Sequence, residues 1–500
     1  MFRNAKRLVY LAGIYSIGSI FEKALAFFFI PIYTTYLGTS DYGIVGLMSV
    51  TVGLLSRFVE PPITNGLVRH YYAPEYKNKR GVLLFNSFLF LTLQVWLLAV
   101  IFYFFNHIIS TIVLASGDLV YIVKIYAFIL FFDPLSNLLL TFLRQEEKAN
   151  FFIFISWLRF LISAGVILFG LILFKIGILA LIYGNLVGVI FTVACILPVF
   201  WKYCTPKIDR FVLGPPLRFG YPLIVQGFSS LFIQSGDRYV LRIFTSVSNV
   251  GLYSFGYSFA GILNVLLITP LKYALQPIVL KQEEEPEKLK TFLRNNCTYF
   301  YLIGTFLFLL LSLYSKEAIE IMARNKDFWE SWIIVPIIAF CYLQHGLGNF
   351  LNWGLGMAKK AFHISGNVLI AAVINIGLNF VFVPFFGILG AALATLISYI
   401  VWNCLKIYYS AKFYELYFDL RRLGHISIVG CGLFLVSLFI ANNDSLPLNI
   451  VIKWLILLAY PAIIIVTGFF TSNERKYMRK LWRSTRVNGF RETYAKIKAI

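Results

Sequence analysis

A membrane's hydrocarbon core is crossed by a helix of about 20 consecutive apolar residues, and this chain of 500 residues supplies such runs from end to end. They fall near 8–36, 42–65, 81–105, 119–143, 151–174, 177–200, 217–244, 249–273, 297–315, 331–357, 364–384, 388–409, 424–441 and 448–470. Several connectors, such as Lys175–Gly177, are little more than a turn. The pattern predicts an all-α polytopic membrane protein of about 14 transmembrane helices. Charged residues make up only 13%, about half the roughly 25% of a soluble domain. A soluble fold of this size could not cover its core with so little charge. A cytosolic enzyme, a disordered chain and a secreted disulfide scaffold are thereby excluded.

Charge sets the orientation. With the amino terminus in the cytoplasm, 33 lysines and arginines, span ends included, fall on the inner side. Five fall outside: Lys175, Lys316, Arg324, Lys326 and Lys453. A wrong helix count would scramble this asymmetry, so the positive-inside bias predicts that both termini are cytoplasmic. The net charge of +21 is then topological, and no nucleic-acid partner is expected. The first run follows the basic Arg3, Lys6 and Arg7. It is too long for a signal-peptide core and no small-residue cleavage pattern follows, so it reads as a retained span. The six cysteines and five histidines are scattered singly, which predicts packing residues and no metal site.

The chain also repeats itself. Leu37-Gly38-Thr39-Ser40-Asp41-Tyr42-Gly43-Ile44 matches Ser246-Val247-Ser248-Asn249-Val250-Gly251-Leu252-Tyr253, with Gly43 and Gly251 offset by 208. Lys175-Ile176-Gly177-Ile178-Leu179-Ala180 matches Phe385-Phe386-Gly387-Ile388-Leu389-Gly390 at an offset of 210. Two matches at nearly one offset predict a duplicated six-helix unit, its halves related by an axis along the membrane normal. The expected divisions are an N-lobe at 1–210, a C-lobe at 211–410, two appended helices at 411–471 and a basic cytoplasmic tail at 472–500.

Charges inside spans cost at least about 2.5–3.5 kcal/mol each unless they face protein or water. Glu22 and Lys23 lie near the middle of the first run. Arg57 and Glu60 share one face of the second, Asp133 precedes Pro134 in the fourth, Arg159 lies in the fifth, and Asp237, Arg238 and Arg242 end the seventh. One reading is a polar, net cationic cavity: Lys23, Arg57, Arg159, Arg238 and Arg242 grip an anionic headgroup, while Asp133, Glu22, Glu60 and Asp237 couple to an ion. The other is that neighbouring opposite charges neutralise one another and fix helix packing. Asp237, Arg238 and Arg242 lie close enough to the outer end for long side chains to snorkel. The tail from Ser472 carries nine lysines and arginines with Met478, Leu481 and Trp482 on one helical face. It is expected either on anionic membrane lipids or as a solvated flank.

The sequence contains no Walker loop, nucleophile elbow or H-E-x-x-H motif, and the outer loops are short. A carrier without a cofactor, not an enzyme, is expected, its alternation biased by H⁺ or Na⁺.

The opening Phe27-Phe28-Phe29-Ile30-Pro31-Ile32-Tyr33-Thr34-Thr35-Tyr36-Leu37-Gly38, followed by Asp41-Tyr42-Gly43, resembles that of polysaccharide-biosynthesis membrane proteins. These are the oligosaccharide flippases of the multidrug/oligosaccharidyl-lipid/polysaccharide exporter superfamily. Asp237-Arg238-Tyr239-Val240-Leu241 with Val250-Gly251-Leu252-Tyr253-Ser254 is similar to their seventh-to-eighth helix junction. The resemblance runs from residue 1 to about 410. It implies two six-helix lobes around a cavity that faces each side in turn, in a bacterial inner membrane. The implied cargo is an undecaprenyl-diphosphate-linked oligosaccharide for O-antigen, capsule or exopolysaccharide, with other polysaccharide-assembly membrane proteins as partners. Glu22-Lys23, with no arginine after Arg7 in the first run, departs from the lipid II flippase pattern. Six basic against four acidic intramembrane residues count against a drug-cation antiporter. A drug or metabolite antiporter remains the alternative, ahead of a polysaccharide polymerase.

Overall fold

The computed structural model describes residues 27–272, 275, 279, 285–358, 360–440, 446–470, 474 and 475. Among them every regular element is a helix, and 11 helices are long and apolar enough to cross a membrane. Glu22, Lys23 and nearly all of the basic tail lie outside the described residues.

The elements, in chain order, are α1 (Ile30–Tyr36), α2 (Thr39–His70), α3 (Arg80–Phe104), α4 (Val120–Gln145), α5 (Ala149–Leu168), α6 (Ile178–Trp201), α7 (Arg210–Gly220), α8 (Leu223–Ser235), α9 (Asp237–Phe244) and α10 (Val247–Ala260). They continue as α11 (Pro286–Leu313), α12 (Val335–Met357), α13 (Ala361–Tyr414), α14 (Leu420–Ile440) and α15 (Leu446–Val466). Shorter helical turns lie between some of them.

The repeated motifs fold alike. Asp41 Oδ2 accepts the Gly38 backbone N–H at 2.9 Å and opens α2. Ser246 Oγ, 208 residues on, accepts the Asn249 N–H at 3.2 Å and opens α10. Each satisfies a donor that a helix start leaves unpaired. The two helices then meet through the aligned glycines. A methyl on Gly43 would overlap the Val247 carbonyl, and one on Gly251 would overlap that of Thr39. Val247 is Thr39 displaced by the same 208, so this is one contact made twice, as a twofold axis makes an isologous interface. Thr39 Oγ1 and Ser248 Oγ share a hydrogen bond of 2.6 Å beside it. The second motif agrees: Gly177 (φ 57°, ψ −133°) and Gly387 (φ 53°, ψ −126°) hold the same left-handed backbone, which glycine adopts at low cost.

Gly387 also bends the 54-residue α13. Each arm, 361–386 and 388–414, is about 40 Å long at 1.5 Å per residue, against a hydrocarbon core of about 30 Å. The run expected at 217–244 is instead divided among α7, α8 and α9. Pro222 precedes α8, and at Gly236 the ladder tightens, with Tyr239 N–H donating to Gly236 O at 3.1 Å in an i→i+3 bond.

Helix α7 packs on α2 by a second reciprocal contact. Both carry Pro-Pro-x-x-x-Gly, at Pro61–Gly66 and Pro215–Gly220. A methyl on Gly66 would overlap the Pro216 carbonyl, and one on Gly220 that of Pro62. Pro216 cannot donate to Val212 O, and the Tyr76 hydroxyl donates to it instead at 3.1 Å. Leu67, Leu84, Leu139, Phe142, Phe200 and Val212 form the core here, with the Phe142 and Phe200 rings 5.0 Å apart, edge to face.

The chain divides into two compact units, residues 1–297 with 314–418, and residues 298–313 with 419–500. In the second, Arg422 grips Glu474 with two contacts of 3.1 Å, Tyr299 OH donates to Glu474 at 2.7 Å, and Tyr460 OH donates to Leu302 O at 2.9 Å.

Candidate functional site

Helix α2 is apolar enough to span, yet it carries Arg57 near its middle, exposed and without an ion pair among the described residues. The Arg57 stem runs past Gly227 of α8, where a Cβ would come within 3.7 Å of its Cδ. The Phe58 ring packs at a tilt against that of Phe228 on α8, centroids 5.1 Å apart. One turn on, Glu60 Oε1 accepts from Thr64 Oγ1 at 3.0 Å, and Arg57, Asp133 and Arg144 lie within electrostatic reach of it. No direct Arg57–Glu60 bridge forms.

Asp133 on α4, which has no basic neighbour in sequence, meets Arg159 of α5 at 3.6 Å. Both side chains stay about a quarter to a third accessible. Arg57, Glu60, Asp133 and Arg159 therefore gather on α2, α4 and α5, with Arg144 Nη2 donating to Thr141 Oγ1 nearby at 2.8 Å. Three cations face two anions.

Asp237 and Arg238 belong to a separate, buried cluster. Asp237 is 0% exposed and Arg238 8%, so neither snorkels to the outer surface. Asp237 Oδ2 accepts from the Tyr253 hydroxyl and from Thr395 Oγ1 at 3.3 Å. Asn375 Nδ2 donates to Thr395 Oγ1 at 3.3 Å, and Asn379 Nδ2 to the Asn375 carbonyl at 2.8 Å. Arg238 lies 3.5 Å from Asp237 Oδ1, donates to Ser254 Oγ at 3.0 Å and sits over the Tyr257 ring at 5.0 Å. Two buried oxygens, Asp237 Oδ1 and Asn379 Oδ1, receive no hydrogen bond among the described residues. Oxygen ligands of this kind suit a hard cation, and a carboxylate also suits a proton. Arg242 lies one turn beyond, its Nε buried without a hydrogen-bond partner among the described residues.

Sequence reading missed Tyr253, Asn375, Asn379 and Thr395, although Asn375 and Asn379 stand at i, i+4 in an apolar run. It also missed Lys406, counted there as a charge at a span end. Lys406 is 2% exposed, packs its ammonium against Gly348 and has no carboxylate partner among the described residues. Beside it Asn403 Nδ2 donates to the Gln344 carbonyl at 2.8 Å, and His345 Nδ1 is buried without a partner. Among the described residues no group of three His, Cys, Asp or Glu forms a metal site.

The family described as polysaccharide biosynthesis protein matches residues 35–333. A probable low-salt glycan biosynthesis flippase, Agl15 of Haloferax volcanii, is 23% identical over 262 residues, 50% of this chain and 52% of the relative. The chain thus matches about half the length of that curated relative. The lipid II flippase MurJ in an inward closed conformation superimposes with a TM-score of 0.70 at 17% identity, covering 91% of this chain and 98% of that one. An inward-facing multidrug resistance MATE family transporter of the MOP superfamily gives 0.64 at 13% identity, covering 81% and 95%. At these identities the likeness concerns the fold.

Proposed function

The chain belongs to the family of polysaccharide biosynthesis proteins, and on that premise we propose that it is a flippase carrying a polyprenyl-diphosphate-linked oligosaccharide from the inner to the outer leaflet by alternating access. In a bacterial inner membrane the prenyl chain would be undecaprenyl and the glycan destined for a surface polysaccharide. The reading includes 14 transmembrane helices with both termini cytoplasmic, and lobes at 1–210 and 211–410 related by the repeat.

The observation that carries it is Arg57. An exposed guanidinium without an ion pair among the described residues, halfway along an apolar helix, is too costly against acyl chains and calls for a water-filled cavity. With Arg159 and Arg144 it outnumbers Glu60 and Asp133, so the cavity favours an anion such as a diphosphate, which arginine binds through two parallel hydrogen bonds. That balance speaks against the alternative, a drug-cation antiporter. Alternation needs a ligand that binds the two states differently. Asp237 Oδ1 and Asn379 Oδ1, buried oxygens that accept no hydrogen bond among the described residues, are the candidate place for Na⁺ or H⁺. Asp237, like Asp133, has an arginine beside it, and its full burial is what sets it apart.

The test is translocation of a defined polyprenyl-diphosphate glycan in proteoliposomes under imposed Na⁺ or pH gradients. Wild type should translocate and respond to one gradient, and Asp237→Asn should translocate without that response. Absence of glycolipid movement alongside antiport of a cationic drug would replace the reading with the alternative.

A further inference from the structure

Helix α7 lies between α6, which is long and apolar enough to cross a membrane, and the shorter apolar α8; on the fourteen-helix reading proposed above, the chain turns there at a membrane surface. Its inner face is accounted for: Val212, Leu213, Pro216 and Gly220 are buried, and Asp209 Oδ1 caps its start by accepting the Phe211 N–H at 3.0 Å.

The outer face has no such account. Arg210, Gly214 and Arg218 form one stripe at i, i+4, i+8, and Phe211, Pro215 and Phe219 the stripe beside it. These six residues line an open depression of about 500 Å³. Neither arginine has a carboxylate partner among the described residues, and Phe211 is 84% exposed. Arg69 of α2 adds a third cation at the rim, its guanidinium 5.2 Å from the Phe219 ring. Gly214 is the telling residue. A Cβ there would meet nothing within 4 Å beyond its chain neighbours, so no other element requires glycine, and the ring of Pro215 is the one group a side chain would crowd. What glycine does provide is a notch between two arginines about 12 Å apart along the axis.

We propose that this face binds the phosphodiester headgroup of an anionic phospholipid, with the phosphate over Gly214 between Arg210 and Arg218. Phe211 and Phe219 then meet the acyl–headgroup boundary, where aromatic rings are favoured. Charge complementarity selects the anion. The lining holds no amide, hydroxyl or carboxylate side chain to meet sugar hydroxyls, which selects a simple phospholipid over a glycolipid.

The experiment is native mass spectrometry of the full-length protein titrated with phosphatidylglycerol or phosphatidylcholine. Wild type should retain phosphatidylglycerol in preference. The Arg210→Gln/Arg218→Gln double variant should bind it at least about tenfold more weakly, since two charge-assisted contacts to the phosphate are lost. Gly214→Leu should weaken it through a filled notch, with the melting temperature read alongside because a side chain before Pro215 crowds the proline ring. Unaltered phosphatidylglycerol affinity in the double variant would overturn the proposal, as would equal binding of phosphatidylcholine by wild type. Displacement by equimolar farnesyl diphosphate would overturn it in favour of the transported lipid. Glycolipid translocation is a separate readout, so failure of the flippase reading leaves this result distinguishable.

Discussion

The Lys406 ammonium nitrogen lies 3.5 Å from the centre of the Trp402 ring, one turn earlier on the same arm of α13. A desolvated cation over an indole gains about 2 kcal/mol, well short of the cost of burying an unpaired charge. Replacing a buried charge with an apolar group of similar size is neutral or stabilising. Lys406→Met should therefore keep or raise the melting temperature in detergent, measured with a thiol-reactive dye. Trp402→Ala should lower it by the equivalent of about 3–5 kcal/mol, through a cavity and a bare ammonium. A marked drop for Lys406→Met would mean the amine holds a partner worth more than its burial.

The glycine contact between α2 and α10 makes a symmetrical demand. Gly43→Val and Gly251→Val each push a side chain into a backbone carbonyl across the interface, and overpacking of this kind costs about 1–3 kcal/mol or more. Both variants should express poorly or melt early, by similar amounts. A wild-type melt for either would mean the helices separate there at little cost.

Arg57→Ala should abolish glycolipid translocation, and Arg57→Lys should retain part of it, because lysine keeps the charge but loses the planar fork. Since Glu60 is held by Thr64 and not by a direct bridge to Arg57, the alanine variant should still fold. Normal transport by Arg57→Ala would remove the arginine from the pathway.

The Asp133–Arg159 pair is partly accessible and 3.6 Å long, so its coupling should be modest. A double-mutant cycle with Asp133→Asn and Arg159→Gln, read as stability, should give about 0.5–1 kcal/mol. A coupling near zero would show two independent charges.

Cys204 lies in the connector between α6 and α7, and burial, which penalises the thiolate, pushes its thiol up to about 12. The thiol is therefore almost fully protonated at neutral pH. Alkylation of a variant carrying Cys204 as its single cysteine should be slow at pH 7 and accelerate with each pH unit through about pH 11. A rate at pH 7 matching that of a free small thiol would show that the connector opens.

The long apolar runs were legible because span length is a one-dimensional property of the chain. The repeat was legible for a similar reason: Gly43, Gly177, Gly251 and Gly387 occupy places where a side chain meets backbone or the backbone turns left-handed, and such demands leave fixed spacings. The division of 217–244 into three helices was not, because Gly236 does not announce whether it will break a ladder. Pairing across space was hidden too. Asp133 looked free beside Pro134, and its partner sits 26 residues away on the next helix. Asn375, Asn379 and Thr395 are unremarkable polar residues in apolar runs until α9 brings Asp237 to them. Lys406 read as a span-end charge because linear distance from a helix end says nothing of what covers it.

Helix α2 is clasped twice, at Gly43 by α10 and at Gly66 by α7. The clasps are 23 residues apart, about 35 Å along the axis, close to the thickness of the hydrocarbon core. One therefore stands toward each face of the membrane. Pro61 and Pro62 lie between the clasps, where the helix ladder lacks their donors; in the proposed alternating cycle, parting at one clasp would leave the other as the fulcrum. On that reading an unguarded channel would need both clasps undone at once, a barrier set by the length of a single helix.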